Sequence, residues 1–144
     1  MKIVKTRRGA RIVQDGLVLS EIRSTPGPTD SLFDVLAVSI AALARGPRAA
    51  VLGFAGGGII APLRASGFGH PIEAVDLSLE GEQLFRSLAG PWAGEVRVHE
   101  HDALRWLRRR RRAWDVILED LSVQTSMGVT KPSVSLDALP ALLA

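Results

Sequence analysis

The chain has 144 residues, is 47% hydrophobic and carries a formal net charge of +3. That length supports one ordinary core and excludes two comfortable domains. The absence of cysteine excludes disulfides and thiolate metal sites, and the weak basicity gives little reason to expect nucleic acid.

The N-terminal stretch MKIVKTRRGAR is charged and lacks the apolar segment of a secretory signal. No apolar run approaches the roughly 18 residues needed to span a bilayer, so a soluble, cytoplasmic protein without membrane contact is expected. Residues 2–23 read as strands. RIVQ and LVLSEI flank Asp15-Gly16, a dipeptide suited to a tight hairpin, and KIVK before Arg8-Gly9 adds a third strand. Residues 1–24 are therefore expected to form an antiparallel β-hairpin or meander. The prolines of STPGPTD end the sheet, and Thr29, Asp30 or Ser31 can cap a helix whose apolar face is Leu32, Phe33, Leu36, Ile40 and Leu43. Gly46-Pro47 ends that helix.

From residue 49 the pattern alternates strand and helix. AAVLGF reads as a strand apolar on both faces, followed by three glycines and a short helix through about Ser66, stopped by Gly67. IEAVDL is the next strand, and Ser78 caps LEGEQLFRSLA, which Gly90-Pro91 ends. EVRVHE is the third strand, Asp102 caps ALRWLRRRRR, and WDVILED is the fourth. The series predicts an α/β fold, a Rossmann-like open parallel sheet over residues 29–144. LSVQTSMGVTKPSVS reads as a polar loop before the apolar LDALPALLA.

The glycine turn is the first pointer to function. In open α/β sheets the ligand lies beyond the carboxyl ends of the strands, and the first turn approaches it closely. Gly56, Gly57 and Gly58 are expected to clear that space and to let the next helix's amides face an anionic group; a tight turn with no ligand needs the same residues. Asp76 stands at the end of the second strand, 20 residues after Gly56, where a carboxylate can accept from a ribose hydroxyl pair. GGGIIA also satisfies the dinucleotide pattern GxGxxA, which leaves a nicotinamide-dependent oxidoreductase as an alternative. Carboxylates at the second, third and fourth strand ends favour a cationic, adenosyl-bearing ligand over a pyrophosphate.

In order and spacing, VQDGLVLSEI, VLGFAGGG, AVDLS, VRVHEHDALRWL and WDVILEDLS make residues from about Ile12 to Pro140 resemble the class I S-adenosylmethionine-dependent methyltransferases. Within that superfamily the chain is most similar to the spermidine synthase-like branch. The resemblance implies a cofactor, S-adenosyl-L-methionine or decarboxylated S-adenosylmethionine, held by Gly53, Ala55, Gly56, Gly57 and Gly58. It implies that Asp76, with Leu77, binds the ribose, that Asp102, with Ala103, contacts the adenine, and that Asp120 accepts a proton from the attacking amine. Gly58 stands where the family has an aspartate, Val123 where it has another and Leu19 where it has a glutamine, and the chain has no tyrosine. A diamine needs carboxylates at both ends. Methyl or aminopropyl transfer to a small-molecule substrate is therefore expected, rather than spermidine synthesis itself; a non-catalytic binding or oligomerisation module of the same fold is the other alternative.

His99 and His101 flank Glu100 without a third ligand, so no metal site is expected. The run Arg108–Arg112 reads as a solvated helix end, and Trp92, Trp106 and Trp114 as packing residues. The superfamily's sheet has seven strands and four are legible here; a fragment, a degenerate relative or a partner chain would each account for that. The open edge of the fourth strand predicts a homo-oligomer.

Overall fold

The computed structural model describes residues 2–110, 114–126 and 128–130. Strands β1 (Lys2–Thr6), β2 (Gly9–Gln14) and β3 (Leu17–Arg23) form the expected antiparallel meander, in the order β1-β2-β3. Asp15 and Gly16 take φ values of 50° and 78°, the left-handed pair that a two-residue hairpin needs. Alternation along β2 and β3 turns Ile12 and Ile22 into the core, and the pairing shifts register between Ile12 and Val13.

Helix α1 (Leu32–Leu43) starts where the sequence predicts, with the Ser31 hydroxyl accepting from the Phe33 amide. Asp34 secures the same end by accepting from the Thr29 amide and hydroxyl, both at 2.7 Å, and from the Asp30 amide at 2.8 Å. Burial alone would raise its carboxyl pKa, but the hydrogen bonds from Thr29, Asp30 and Ser31 outweigh burial and hold it below the ordinary value.

The four strands β4 (Ala49–Leu52), β5 (Ile72–Asp76), β6 (Val96–Glu100) and β7 (Val116–Glu119) form one parallel sheet in the order β6-β5-β4-β7. Helices α2 (Ile60–Ala65), α3 (Glu80–Leu88) and α4 (Ala103–Arg108) connect them, with a short 3-10 turn at Pro91–Ala93. Residues of β4 alternate between two cores. Ala49 and Val51 join Phe33, Ala37, Ile40, Leu63 and Phe85 on one face, while Ala50 and Leu52 join Ala103, Trp106 and Leu107 of α4 on the other. The result is a mixed α/β arrangement, a parallel sheet covered on both faces with a separate antiparallel sheet beside it. No helix among the described residues is long and apolar enough to cross a membrane.

Two buttresses fix the sheet's amino-terminal side. Arg48 grips Asp115 with Nε and Nη2 at 3.1 and 2.8 Å, which lowers the pKa of the Asp115 carboxyl and raises that of the Arg48 guanidinium. Arg64 in α2 donates to the carbonyls of Ala93, Phe68, His70 and Glu95, and its burial pushes its own pKa down.

One sequence expectation is corrected. The stretch read as a polar loop after β7 contains a small antiparallel hairpin, β8 (Val123–Thr125) with β9 (Gly128–Thr130), closed by the Thr125 hydroxyl donating to the Gly128 carbonyl at 2.8 Å. Arg111, Arg112 and the apolar segment LDALPALLA lie outside the described residues.

Candidate functional site

The carboxyl ends of β4, β5, β6 and β7 are laced to one another by backbone hydrogen bonds. The Gly53 amide donates to the Val75 carbonyl at 2.9 Å, the Asp120 amide to Leu52 at 2.8 Å and the His101 amide to Asp76 at 2.8 Å. The chain turns outward from β4 to β5 and β6, then returns to β7 on the other side of β4, so a crevice opens where the order reverses. A cavity of about 470 Å³ occupies this end of the sheet. That volume falls in the range of roughly 300–1,000 Å³ usual for small-molecule sites.

Asp76, the last residue of β5, is held firmly. Its Oδ2 accepts from the amides of Phe54 and Ala55 at 2.8 and 2.7 Å, which draws the turn after β4 onto β5. Its Oδ1 accepts from the Ser78 amide at 3.3 Å, and Asp76 lines the cavity. Ala55 is caught in the left-handed region with φ 50°, a conformation that costs an alanine of order 1 kcal/mol and that the two Asp76 hydrogen bonds sustain.

Two glycines make the floor possible. Gly53 has φ 87°, and a Cβ there would lie 2.6 Å from the Asp120 carbonyl oxygen. A Cβ on Gly81 of α3 would overlap the Ala55 carbonyl oxygen. Seven residues named from the sequence therefore meet in one wall: Gly53 and Ala55 from the turn, Asp76 and Leu77 from the end of β5, Asp102 and Ala103 from the start of α4, and Asp120 after β7.

Gly56, Gly57 and Gly58 stand against the protein's own side chains. None of the three lines the cavity. A Cβ on Gly56 would crowd the Ile12 and Ile22 Cδ1 atoms at 2.7 and 2.8 Å, one on Gly57 would strike the Phe54 ring, and one on Gly58 would sit 3.0 Å from the Glu21 amide and 3.1 Å from Phe33. Their bare backbone admits the meander and two phenylalanines. Two amides of this turn are already engaged, Gly57 donating to the Phe54 carbonyl and Ile60 to that of Gly57.

The cavity also recruits residues that the sequence did not single out for it. Ile12 and Gln14 of β2 and Leu19 of β3 enclose it from the meander, and Ser78, Glu80, His101, Leu104, Leu121 and Ser122 complete it. Ile12 and Gln14 share a strand face by the period of two, which was the available signal.

The wall is largely apolar, and its acidic side chains set the sign of its charge. Asp76, Glu80, Asp102 and Asp120 all line it, and no lysine or arginine does so among the described residues. Asp102 spends Oδ1 on the α4 cap, accepting from the Arg105 amide at 2.8 Å. His101 Nδ1 lies 3.1 Å from the Asp102 carbonyl; a carbonyl can only accept, so Nδ1 is the donor. His99 is engaged elsewhere, its Nε2 3.1 Å from Glu73 Oε2, which also takes Arg110, while its ring packs on Trp106.

No protein-family model matches the chain, and no curated protein matches its sequence.

Proposed function

We propose that the chain is a transferase using an adenosyl sulfonium cofactor, S-adenosyl-L-methionine or its decarboxylated form, on a Rossmann-like fold similar to that of the spermidine synthase-like methyltransferase relatives. The sign of the cavity wall carries this reading: four carboxylates and, among the described residues, no lysine or arginine, in a chain that is net positive. A sulfonium or an ammonium is drawn into such a wall, and a pyrophosphate is repelled.

Each residue has a distinct task in this reading. Asp76 keeps Oδ2 on the turn and presents Oδ1 to the ribose hydroxyls, so the cofactor-binding oxygen is aimed before anything binds. Leu77, 68% exposed, supplies apolar surface for the purine together with Ala103 and Leu104. Asp102 accepts from the adenine amine. Bound there, the sulfonium supplies an alkyl carbon activated for displacement. Asp120 receives the proton that an attacking amine gives up, on a carboxylate placed by the backbone bond to Leu52. Ile12 and Leu19 shield this end from water.

The decarboxylated form suits the cavity better than its parent. The amides of Phe54 and Ala55, which could hold a carboxylate, already belong to Asp76. The same occupancy counts against a nicotinamide dinucleotide. Titration calorimetry with the two sulfonium cofactors, S-adenosylhomocysteine and NAD tests the assignment. Binding of an adenosyl sulfonium, lost by at least tenfold in Asp102→Ala, is expected. Binding of NAD alone would favour the oxidoreductase alternative, and silence from every ligand would favour a non-catalytic module.

A further inference from the structure

The adenosyl reading gives tasks to Asp76, Asp102 and Asp120 and leaves Glu80, the remaining carboxylate of the cavity wall, without one. Glu80 opens α3, and Gly81 beside it is pressed against the turn after β4. A Cβ on Gly81 would overlap the Ala55 carbonyl oxygen and lie 3.2 Å from the Gly56 amide nitrogen. Glu80 is therefore fixed next to a turn that Asp76 also holds. Its amide donates to the Ser78 hydroxyl at 3.3 Å, while its carboxylate makes no hydrogen bond or ion pair among the described residues. Asp76 and Asp102, by contrast, both spend oxygens on backbone amides. The sheet separates Glu80 from Asp102: α3 packs through Phe85 on the side of Ala49 and Val51, and α4 packs on the side of Ala50 and Leu52. The two carboxylates thus border the cavity from opposite faces, with Asp76 on a strand end between them.

We propose that Glu80 is a specificity-determining residue that receives the terminal ammonium of the cofactor's aminoalkyl arm. This rests on the adenosyl sulfonium reading and extends it to the part of the cofactor that still lacks a partner. With the adenine amine on Asp102 and the ribose hydroxyls on Asp76, the sulfur-bearing arm runs away from Asp102, toward the side of the sheet where α3 begins. An ammonium leaving water has three donors to satisfy and gains most from a charged acceptor. The amides of Phe54 and Ala55 cannot serve it, being donors themselves and already spent on Asp76. An uncharged arm would leave the Glu80 carboxylate with nothing to pair, so this residue makes the wall distinguish a cationic arm from a neutral one. Glu82, in the same first turn of α3, accepts from Arg86 at 2.8 Å and does not line the cavity. It shares the place of Glu80 at the helix dipole without sharing its task.

Two thioethers that share the adenosine and differ only in the arm make the test: decarboxylated S-adenosylhomocysteine, with an aminopropyl arm, and methylthioadenosine, with a methyl group. In titration calorimetry the parent chain is expected to bind the aminopropyl compound about fivefold or more tightly than the methyl compound, the scale of a partly exposed ion pair. Glu80→Gln is expected to remove most of that preference by weakening the aminopropyl compound alone. Glu82→Gln is expected to leave both affinities within about twofold of the parent's. The circular dichroism spectra of both variants should match that of the parent. A Glu80→Gln variant that binds the aminopropyl compound as the parent does would overturn the proposal. Equal weakening of both compounds would overturn it too, since Glu80 would then serve the ribose or the fold. In either case, binding of the thioethers by the parent leaves the adenosyl reading of the cavity standing. A parent chain that binds neither thioether nor a sulfonium cofactor would overturn that reading and this inference together.

Discussion

The two halves of the turn after β4 serve different neighbours. Gly53 and Ala55 face the cavity and the residues that shape it, whereas Gly56, Gly57 and Gly58 face the meander, Phe33, Phe54 and Phe85. Both halves need little or no side chain, and both contain left-handed residues. A run of glycines thus marks close approach by something, and only the third dimension tells a ligand from a protein strand. Here the triple glycine joins two sheets, and the residue of the turn that lines the cavity just before it is Ala55, pinned with Phe54 by the Asp76 carboxylate.

The largest effect expected from breaking this division comes at Gly81. A Cβ there meets backbone at Ala55, which cannot swing aside, so Gly81→Ala is expected to lower unfolding free energy by more than about 4 kcal/mol or to prevent folding. Denaturant titration of the variant checks this. Gly56→Ala is the complementary change, since its Cβ meets the tips of two isoleucines, which can shift. A loss of about 1–3 kcal/mol is expected, with cofactor affinity in calorimetry kept within a few fold. A Gly56→Ala variant that folds normally yet no longer binds would return the triple glycine to the ligand's side.

Asp76→Asn tests the hinge between the halves. The carboxamide oxygen can still accept from both the Phe54 and Ala55 amides, but no longer as an anion, and its NH2 group then faces the Ser78 amide, so a loss of about 1–3 kcal/mol of stability is expected together with at least tenfold weaker cofactor binding. Loss of stability with intact binding would leave Asp76 a structural clamp alone.

Much of this framework was legible in the sequence because it rests on local chemistry. Asp15-Gly16 turns a hairpin, Ser31 and Asp102 cap the helices they precede, and Gly67 follows α2 with φ 88°. Ser78 was nearly right: its hydroxyl accepts from Glu80 at 3.3 Å, but the helix takes Leu79 as its cap residue. The parallel order follows from alternating strands and helices. What stayed hidden depends on contacts between distant segments. Nothing local says that Ile12 and Ile22 lie over Gly56, or that Leu19 joins Asp120 in one wall. The hairpin β8-β9 escaped notice because three-residue strands in a polar stretch carry no usable periodicity.

The smallest effect concerns acid, and it separates the two halves by their supports. Phe33, which packs on Gly58, is positioned by α1, and the start of α1 is tied by Asp34. The Asp34 carboxyl has a folded-state pKa below its ordinary 3.8 because its hydrogen bonds outweigh burial. Such a group adds stability above its unfolded-state pKa and loses it as pH falls through the depressed folded value. Between pH 7 and 5 Asp34 should therefore contribute constantly, and below about pH 4 its share should fade. Asp115, lowered by Arg48, follows the same course at the opposite end of the sheet. Denaturant midpoints measured from pH 7 to 3 should fall at the acid end less steeply in Asp34→Asn than in the parent chain, because the substituted side chain has no proton to take up. Equal slopes in the two proteins would mean that the start of α1 is held by Ser31 and Thr29 without help from the carboxylate.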